Sequence, residues 1–449
     1  MVCGLGKSNL PFLNMLTKEG IIVTAYDRRS ESKLPPSLIS NLKSNSNIVL
    51  RAGDETVWNE TYDIIIRTPG ISFLSENINK MRQRGTIVTS EMEIFFELCP
   101  CPIIGITGSD GKTTTTTIIA KILDQTGKKV HLGGNIGNPL LPKINEIKSN
   151  DIAVVELSSF QLMSMRKSPE RAVITNISPN HLDFHSSIDE YIESKKQIIY
   201  HQLPFSCAVL NFDNPETKKM SGNVRGKCIF FSRISQLDSG VWINEKGDII
   251  YSFNGKDKFI INKSNIKLPG NHNIENYLAA IACIFDLVDS ENIKTVANKF
   301  SGVEHRIEFV RELNGVSYYN DSIASTPTRT INGTLSLFNK KVILIAGGYD
   351  KKVPFDSLAK EIIKKVSTLV LMGDSASKIY KEILNLKEYD SKLTKIVFAD
   401  NMNEAVIQAK NHSQPGDIVV LSPACASFGL YENFEERGKD FKNLVMNLR

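Results

Sequence analysis

The sequence lacks the features that mark several classes of protein. No stretch approaches the roughly 18 to 20 apolar residues of a transmembrane helix, and no basic segment followed by an apolar one opens the chain. The seven cysteines are scattered, odd in number and without a Cys-x-x-Cys pair, which argues against a disulfide framework or a zinc site. We therefore expect a cytoplasmic protein with reduced thiols.

Aromatic residues are few, and the charge is nearly balanced. Phe, Trp and Tyr make up 8% of the chain, and 54 Lys plus Arg against 49 Asp plus Glu give a formal net charge of +5. This positive charge is too dilute to indicate a nucleic-acid surface, although it suits anionic small substrates. The hydrophobic fraction of 41% is ordinary for a folded globular protein.

The chain is long enough for about three domains, with 449 residues. Short apolar runs alternate with helical patterns, which predicts α/β domains with mostly parallel sheets. The runs are 21–26, 63–66, 86–89, 102–107, 152–156, 172–177, 208–211, 341–346, 368–372, 395–399 and 417–422. We expect three domains, at residues 1–90, 91–301 and 302–449.

Two local patterns add detail to this predicted three-domain arrangement. Between residues 230 and 261, apolar residues alternate with turn residues, which indicates antiparallel hairpins inserted in the middle domain. The chain opens with Met1-Val2-Cys3-Gly4, where a strand should already be ending. We therefore expect either a start further upstream or an unusually short first strand.

The sharpest motif follows an apolar run in the middle of the chain. It reads Ile106-Thr107-Gly108-Ser109-Asp110-Gly111-Lys112-Thr113-Thr114 and leads into a helical pattern. Glycines let backbone N–H groups surround a phosphate at a helix N-terminus, the lysine adds a positive charge, and the first threonine can ligate Mg²⁺. Ile106 replaces the first glycine of the common G-x-x-x-x-G-K-[ST] form. The motif predicts a loop that binds a nucleoside triphosphate.

Two neighbouring apolar runs also end in polar residues. One ends in Glu156, and an acid at a strand end beside a phosphate loop commonly holds a metal ion. The other leads to His181, Asp183 and His185, whose H-x-D-x-H spacing is also compatible with a two-metal hydrolase. We select Glu156 and His181 as candidate Mg²⁺ ligands, and solvated side chains are the alternative.

A weaker glycine motif opens the chain. Gly4-Leu5-Gly6-Lys7-Ser8-Asn9 resembles a dinucleotide fingerprint in which Asn9 replaces the third glycine, and Asp27 closes the next strand about 20 residues later. The motif predicts a Rossmann-like nucleotide pocket. An NAD enzyme is an alternative, although no further nicotinamide feature is found.

Seven motifs, taken in order, resemble the signatures of the Mur ligase family. They lie at residues 107–113, 133–139, 156–161, 180–183, 268–273, 304–306 and 320–322, so the resemblance runs from end to end. Residues 346–351 and 421–438 are similar to the branch that adds D-glutamate, and the DNPR-type motif of the diamino-acid branch is absent. The resemblance implies a Rossmann-like domain for a uridine nucleotide, a central P-loop ATPase domain and a Rossmann-like domain for the amino acid.

The resemblance also implies an activity. The family joins a carboxylate to an amine, so ATP would phosphorylate UDP-N-acetylmuramoyl-L-alanine and D-glutamate would attack the acyl phosphate. Two Mg²⁺ ions are implied, and the family gives the second an anionic ligand through a lysine carbamylated by CO₂. Lys195, four residues after Tyr191, matches that lysine ahead of Lys196, and a solvated surface lysine is the alternative. Carbamylation needs a neutral amine, so burial should lower the pKa of Lys195.

Further roles follow residue by residue from the resemblance. The implied ATP-binding residues are Gly108, Ser109, Asp110, Gly111, Lys112, Thr113, Thr114, Asn273 for adenine, Arg306 for the phosphates and Asp321 for the ribose. The implied substrate residues are Lys7, Ser8, Asp27, Arg29, Thr68 and Gly70 for the uridine diphosphate, Asn135 for the muramoyl substrate, and Lys351, Ser427 and Phe434 for D-glutamate, with Ser158 and Ser325 as further substrate-binding residues. The implied metal ligands are Thr113, Glu156, His181 and Lys195, and the implied catalytic residues are Lys112, His181, Lys195 and Arg306.

Three positions depart from the family pattern, and two other functions are alternatives. Ile323 and Ser325 stand where many relatives have lysine and threonine, and Asp110 stands where a neutral residue is usual, so we expect Asp110 to face solvent or a lysine. A related amide ligase such as folylpolyglutamate synthetase is one alternative, and a non-enzymatic nucleotide-binding or scaffolding protein is another. We expect a monomer that acts on small molecules, without nucleic-acid or membrane partners.

Overall fold

The computed structural model describes residues 1–6, 9–178, 185, 187–268, 270–338, 340–350 and 353–449. These residues form two compact units, Met1–Phe300 and Ser301–Arg449. The predicted α/β class with mostly parallel sheets is confirmed. The division into domains near residues 90 and 301 stays a prediction.

The first unit begins with a five-stranded parallel sheet in the order β3-β2-β1-β4-β5. Its strands are β1 Val2–Cys3, β2 Val23–Asp27, β3 Ile48–Ala52, β4 Ile64–Arg67 and β5 Ile87–Ser90. Its helices are α1 Asn9–Lys18, α2 Pro36–Lys43, α3 Glu76–Gln83 and α4 Glu91–Leu98. The first strand has only two residues, both fully buried. Because the chain order reverses beside β1, the carboxyl ends of β1 and β4 form a crevice suited to a nucleotide.

The same unit contains a nine-stranded sheet in the order β14-β13-β12-β11-β10-β9-β6-β8-β7. Its strands are β6 Ile103–Thr107, β7 Val130–Gly134, β8 Ile152–Glu156, β9 Arg171–Ile174, β10 Cys207–Asn211, β11 Lys227–Ser232, β12 Gly240–Ile243, β13 Asp248–Phe253 and β14 Lys256–Asn262. Its helices are α5 Lys112–Asp124, α6 Ser159–Leu162, α7 Ile188–Tyr200, α8 Pro215–Lys219, α9 Asn271–Ile284 and α10 Ser290–Lys299. The antiparallel β12–β13 and β13–β14 pairs confirm the predicted hairpins. Strands β6, β8 and β10 are buried at every position, as expected for strands covered on both faces.

The second unit is built on a six-stranded sheet in the order β15-β16-β20-β17-β18-β19. Its strands are β15 Glu308–Leu313, β16 Val316–Asn320, β17 Val342–Gly347, β18 Val366–Met372, β19 Lys395–Ala399 and β20 Ile418–Leu421. Its helices are α11 Pro327–Arg329, α12 Asp356–Lys365, α13 Ala376–Leu384, α14 Met402–Asn411 and α15 Phe434–Asn447, and a π-helical stretch spans Thr330–Leu335. Only β15 runs antiparallel to its neighbour, and an apolar core covers each face of the sheet.

Short 3₁₀ helices lie at Glu31–Lys33, Glu55–Asn59, Leu141–Glu146, Met220–Asn223 and Lys263–Asn265. Among the described residues, we find no helix whose length and apolar character would let it span a bilayer.

A buried arginine joins the two sheets of the first unit. Arg67, at the end of β4, donates from Nη2 to Ser164 Oγ at 2.6 Å and to the Phe160 carbonyl at 3.2 Å. Ser164 in turn donates to Glu93 Oε2 at 3.0 Å. The crevice of the first sheet is therefore tied to the segment that follows β8.

Glu91, at the start of α4, is a second polar link in this interior. Its Oε1 accepts a hydrogen bond from the Leu141 N–H at 3.1 Å, and burial raises its pKa to about 7. A carboxyl group whose pKa rises on folding destabilises the folded chain as the pH climbs above its unfolded value, here 4.5. The loss grows until about pH 7 and is then constant.

We expect Glu91→Gln to remove this pH dependence, because the amide oxygen can still accept from Leu141 and carries no charge. Near pH 5 the two proteins should be similarly stable, and above pH 7 the variant should be more stable by about 3 kcal/mol. Melting temperatures of the two proteins between pH 5 and 8 measure the difference. A constant difference across that range would contradict the assignment.

Candidate active site

The loop between β6 and α5 packs against two other elements. Gly108 and Gly111 have φ angles of 146° and 79°, a region that favours glycine. A Cβ atom would lie 1.9 Å from Thr175 Oγ1 at the first position and 2.2 Å from Asn276 Oδ1 at the second. Neither position accepts a side chain, so the two glycines fix the path of the loop.

Lys112 is the first residue of α5, and its ammonium group lies against this loop. Its Nζ donates to the Gly108 and Ser109 carbonyls, each at 2.9 Å. Thr113 is buried and Thr114 half-buried in the first turn of the helix. Asp110 is exposed, which confirms that its side chain faces solvent. A positive charge at a helix N-terminus, bordered by backbone N–H groups, is suited to phosphate.

Glu156, the last residue of β8, lies beside β6 with only 2% of its surface exposed. Its Oε1 accepts from Asn135 Nδ2 at 2.8 Å, which brings two predicted site residues together. Its Oε2 is also buried and makes no hydrogen bond within the part of the chain that the structure describes. A buried carboxylate oxygen without a partner is costly, and a cation would satisfy it.

Lys195, on α7, lies inside the unit with 1% of its surface exposed. Its Nζ donates to the Gly108 carbonyl at 2.8 Å and to Thr107 Oγ1 at 3.3 Å. Burial, followed by the charge of Lys112, lowers the pKa of Lys195 well below its ordinary value. The predicted direction is confirmed, and the alternative of a solvated surface lysine is wrong. Lys196 instead pairs with Glu193 on the same helix.

Helix α7 is attached to the phosphate loop by hydroxyl groups. Tyr191 OH lies 2.9 Å from Ser109 Oγ, and Ser109 Oγ donates to the Ser178 carbonyl at 3.0 Å. The Ser109 side chain therefore faces the protein interior. Ser158, the residue before α6, caps that helix by accepting from the Gln161 N–H at 3.3 Å.

Asn273 lies near the start of α5. It is buried in the first turn of α9, and its Oδ1 accepts from Asn276 Nδ2 at 3.1 Å. Asn276 Oδ1 accepts in turn from Thr115 Oγ1 on α5 at 3.2 Å. Predicted ATP residues from two distant segments of the sequence thus meet at one end of α5.

The crevice of the first sheet also gathers predicted residues. Asp27 accepts from the Leu5 N–H at 3.0 Å, and from Arg29 Nε at 2.9 Å and Nη2 at 3.0 Å. Burial alone would raise the pKa of Asp27, but Arg29 and two backbone N–H groups outweigh it and hold the pKa below its ordinary value. Thr68 and Gly70 follow β4, where the Thr68 N–H donates to the Cys3 carbonyl at 2.9 Å.

In the second unit, Asp321 follows β16 and is buried. Its Oδ2 accepts from Thr334 Oγ1 at 2.5 Å and from Ser422 Oγ at 3.3 Å. Burial raises its pKa to about 6, and the charge of Arg306 partly opposes this rise. Arg306 Nε is buried and makes no hydrogen bond to a described residue. The two predicted ATP residues of this unit therefore lie close to each other.

Ser427 and Phe434, two of the predicted D-glutamate residues, lie in segments that meet at Arg437, which sequence analysis missed. This buried arginine donates to the Ser322 carbonyl at 2.8 Å and to the Cys425 carbonyl at 3.1 Å. Burial lowers its pKa to about 10. It joins the segment with half-buried Ser325 to the segment with buried Ser427. Phe434 opens α15, where its carbonyl accepts from Ser322 Oγ at 2.8 Å.

Four predicted residues, Lys7, Ser8, His181 and Lys351, lie outside the described residues. Other contacts of the site had no sequence signal of their own. Thr175 and Asn276 lie next to the two loop glycines but are far from them in the sequence. Their proximity to the loop is therefore seen only in the folded structure.

Two segments of the chain match known protein families. Residues 106–284 match the Mur ligase middle domain, and residues 305–425 match the Mur ligase glutamate ligase domain. The UDP-N-acetylmuramoylalanine–D-glutamate ligase of Acetivibrio thermocellus is 48% identical over 451 residues, covering 100% of this chain and 96% of that protein. The enzyme of the same name from Clostridium acetobutylicum is 46% identical over 451 residues, with the same 100% and 96% coverage.

Solved structures show the same fold at low sequence identity. The UDP-N-acetylmuramate–alanine ligase of Thermotoga maritima gives a TM-score of 0.56 at 18% identity, covering 99% of this chain and 98% of that one. The MurF ligase of Thermotoga maritima in complex with ADP also gives 0.56 at 18% identity, covering 100% of this chain and 95% of that one.

Proposed function

The chain belongs to the Mur ligase family, and on this basis we propose that it adds D-glutamate to UDP-N-acetylmuramoyl-L-alanine with ATP as cosubstrate. The product would be a precursor of peptidoglycan. Relatives that carry this activity in their names are 44–48% identical over the whole chain. None of these relatives is named as an NAD enzyme, a hydrolase or a scaffolding protein, which were the alternatives.

One observation carries the proposal at the level of chemistry. A buried lysine of lowered pKa and the phosphate-loop lysine donate to the same carbonyl, that of Gly108. The charge of Glu156, whose Oε2 is unpartnered among the described residues, also acts on Lys195. A site that joins a phosphate-binding loop, an unsatisfied carboxylate and an amine of lowered pKa is suited to phosphoryl transfer onto an acid.

The described residues fit a magnesium ion. Glu156 Oε2 and the Thr113 hydroxyl are oxygen ligands of the kind Mg²⁺ prefers, and His181 is the further predicted ligand. Within the described ranges no group of three His, Cys, Asp or Glu is placed to hold a metal. Phosphate oxygens of the nucleotide would be further ligands of the kind that Mg²⁺ takes. When bound, the metal neutralises charge on the transferring phosphoryl group.

Lys195 would supply the anionic ligand for a second ion. The neutral amine adds to CO₂: an N–C bond forms, one C=O π bond opens and one proton is released, which leaves an anionic carbamate. Burial and the nearby Lys112 charge both favour the neutral amine that this addition requires. The close contacts of Nζ with Gly108 and Thr107 keep the group beside the phosphate loop.

The reaction then has two transfers. A carboxylate oxygen of the muramoyl substrate attacks the γ-phosphorus of ATP, and ADP leaves. The D-glutamate nitrogen attacks the carbonyl carbon of the acyl phosphate, loses a proton, and phosphate leaves. Lys112 and the loop N–H groups would hold the triphosphate, Asn135 the muramoyl substrate, and Ser427 and Lys351 the D-glutamate carboxylates.

The setting we propose is the cytoplasm, with a monomer acting on small molecules. All seven cysteines are free thiols, which fits a reducing compartment. Asp27, Arg29, Thr68 and Gly70 would line the uridine diphosphate pocket, together with Lys7 and Ser8.

Phosphate release from ATP tests the function. We expect release only when UDP-N-acetylmuramoyl-L-alanine and D-glutamate are present together. Equal release with L-glutamate or a diamino acid would overturn the amino-acid assignment. Release without the muramoyl substrate would overturn the ligase reaction.

Arg306→Ala should lower turnover by about 10²-fold while leaving the melting temperature within a few degrees. Arg306 Nε makes no hydrogen bond to described residues, so the variant loses no hydrogen bond of this buried atom. Arg329→Ala is the matched control, because Arg329 is the other arginine whose charge acts on Asp321. Equal losses in both variants would trace the effect to Asp321 and contradict a phosphate contact.

A further inference from the structure

His185 makes two hydrogen bonds at the edge of the site, although the proposed function gives it no role. Its Nδ1 lies 3.0 Å from Glu190 Oε1 and its Nε2 lies 2.9 Å from Ser159 Oγ. Because a carboxylate only accepts, Nδ1 donates to Glu190, and in the neutral ring Nε2 accepts from Ser159. Only 4% of the residue is exposed.

Aromatic contacts fix the ring as well. Phe160 stacks on it with centroids 5.1 Å apart and planes 10° apart, and Tyr191 meets it edge-on at 5.3 Å. Hydrogen bonds in the ring plane and contacts on its faces leave the imidazole a single orientation.

The partners of His185 belong to the two elements that carry the proposed ligands. Ser159 opens α6, three residues beyond Glu156. Glu190 and Tyr191 lie in the first turn of α7, one turn before Lys195, and Tyr191 also contacts the phosphate loop through Ser109. His185 thus links α6, which follows the Glu156 strand, to the start of α7, which carries Lys195.

A nucleophilic role for Ser159 does not fit these contacts. Ser159, His185 and Glu190 have the composition of a Ser-His-acid triad. Ser159, however, is only 3% exposed, and its hydroxyl faces the ring rather than solvent. No substrate carbonyl can reach it, so the arrangement positions other groups.

We propose that His185 is a positioning residue that sets the separation between Glu156 and Lys195, and so the geometry in which both face the nucleotide. This inference rests on the proposed function. A shift of about 1 Å in a supporting group is enough to weaken a site of this kind.

Three variants of His185 test the bridge. The alanine variant removes both hydrogen bonds and the ring. An asparagine amide overlies Nδ1 and keeps the Glu190 bond, whereas a glutamine amide reaches the position of Nε2 and keeps the Ser159 bond. His131→Ala is the matched control, because His131 makes a buried 2.8 Å contact with Asp151 at the opposite ends of β7 and β8.

Two readouts separate positioning from stability. For His185→Ala we expect the Mg²⁺ concentration at half-maximal turnover to rise about tenfold, with KM for the muramoyl substrate within about twofold. In the full chain without metal, the ¹³C carbamate signal from labelled bicarbonate should need several-fold more bicarbonate. The asparagine and glutamine variants should fall between alanine and wild type, and His131→Ala should change only the melting temperature.

The measurements distinguish a positioning role of His185 from a purely structural one. If His185→Ala lowers the melting temperature but leaves the Mg²⁺ and bicarbonate dependences unchanged, the bridge is only structural and the proposal is overturned. If asparagine and glutamine behave as alanine does, the hydrogen bonds are not the link, which also overturns it. If the wild-type protein shows no carbamate signal, the role proposed for Lys195 fails, and the Mg²⁺ dependence alone then decides on His185.

Discussion

Lys195→Met is expected to lower turnover by about 10³-fold and leave a folded protein. Methionine keeps the length and much of the volume of the buried side chain, so packing is preserved while the amine is lost. Because the amine lies desolvated in the interior, its removal should leave the melting temperature equal or higher. Phosphate release and melting temperature are measured on the same preparation.

Lys196→Met is the matched control for that variant. Lys196 is the next residue of α7, lies partly exposed and pairs with Glu193 on the surface of the helix. We expect its turnover to stay within about twofold of wild type, since exposed ion pairs contribute little.

In wild type, labelled bicarbonate should add mass to Lys195, and CO₂-free buffer should remove it. Full activity in Lys195→Met would refute the role of this lysine.

Glu156→Gln should lower turnover without lowering the melting temperature. The amide oxygen can still accept from Asn135, and the amide nitrogen replaces the carboxylate oxygen that has no partner among the described residues. Burial of a neutral amide is less costly than burial of a charge, so the melting temperature should stay the same or rise. Turnover should fall by about 10² to 10³-fold, because the Mg²⁺ ligand is weakened.

Glu170→Gln is the control for the acid at the strand end. Glu170 precedes β9 and accepts from the Ile103 N–H of β6 at 2.7 Å, at the amino ends of strands in the same sheet. We expect it to keep nearly full turnover. Should Glu156→Gln retain turnover while its melting temperature falls, Glu156 would be a structural residue and the metal assignment would be lost.

The strands that sequence analysis identified are mostly the central ones. The apolar run 152–156 coincides with β8, and the run 208–211 differs from β10 by one residue. The strands β3, β7, β15 and β16 were not identified, and all of them except β16 are the outermost strands of their sheets. An edge strand is covered less completely, so it needs fewer apolar residues and gives a weaker pattern.

The site was predictable where one short segment carries the chemistry. The phosphate loop and the acid at the end of β8 follow from local motifs, and Lys195 follows from family resemblance alone. Contacts such as Arg437 with Cys425 or Arg67 with Ser164 join segments distant in the chain. Sequence composition does not distinguish a buried arginine from a surface one, so these residues emerge only from the fold.

The shared carbonyl of Gly108 has a consequence for interpreting mutants of the loop. Lys112 and Lys195 both donate to it, and the charge of one lowers the pKa of the other. Replacing Lys112 would therefore make its neighbour easier to protonate as well as weaken the hold on phosphate. A double-mutant cycle on the pair should be strongly non-additive, so a defect from Lys112→Ala is not a measure of nucleotide affinity alone.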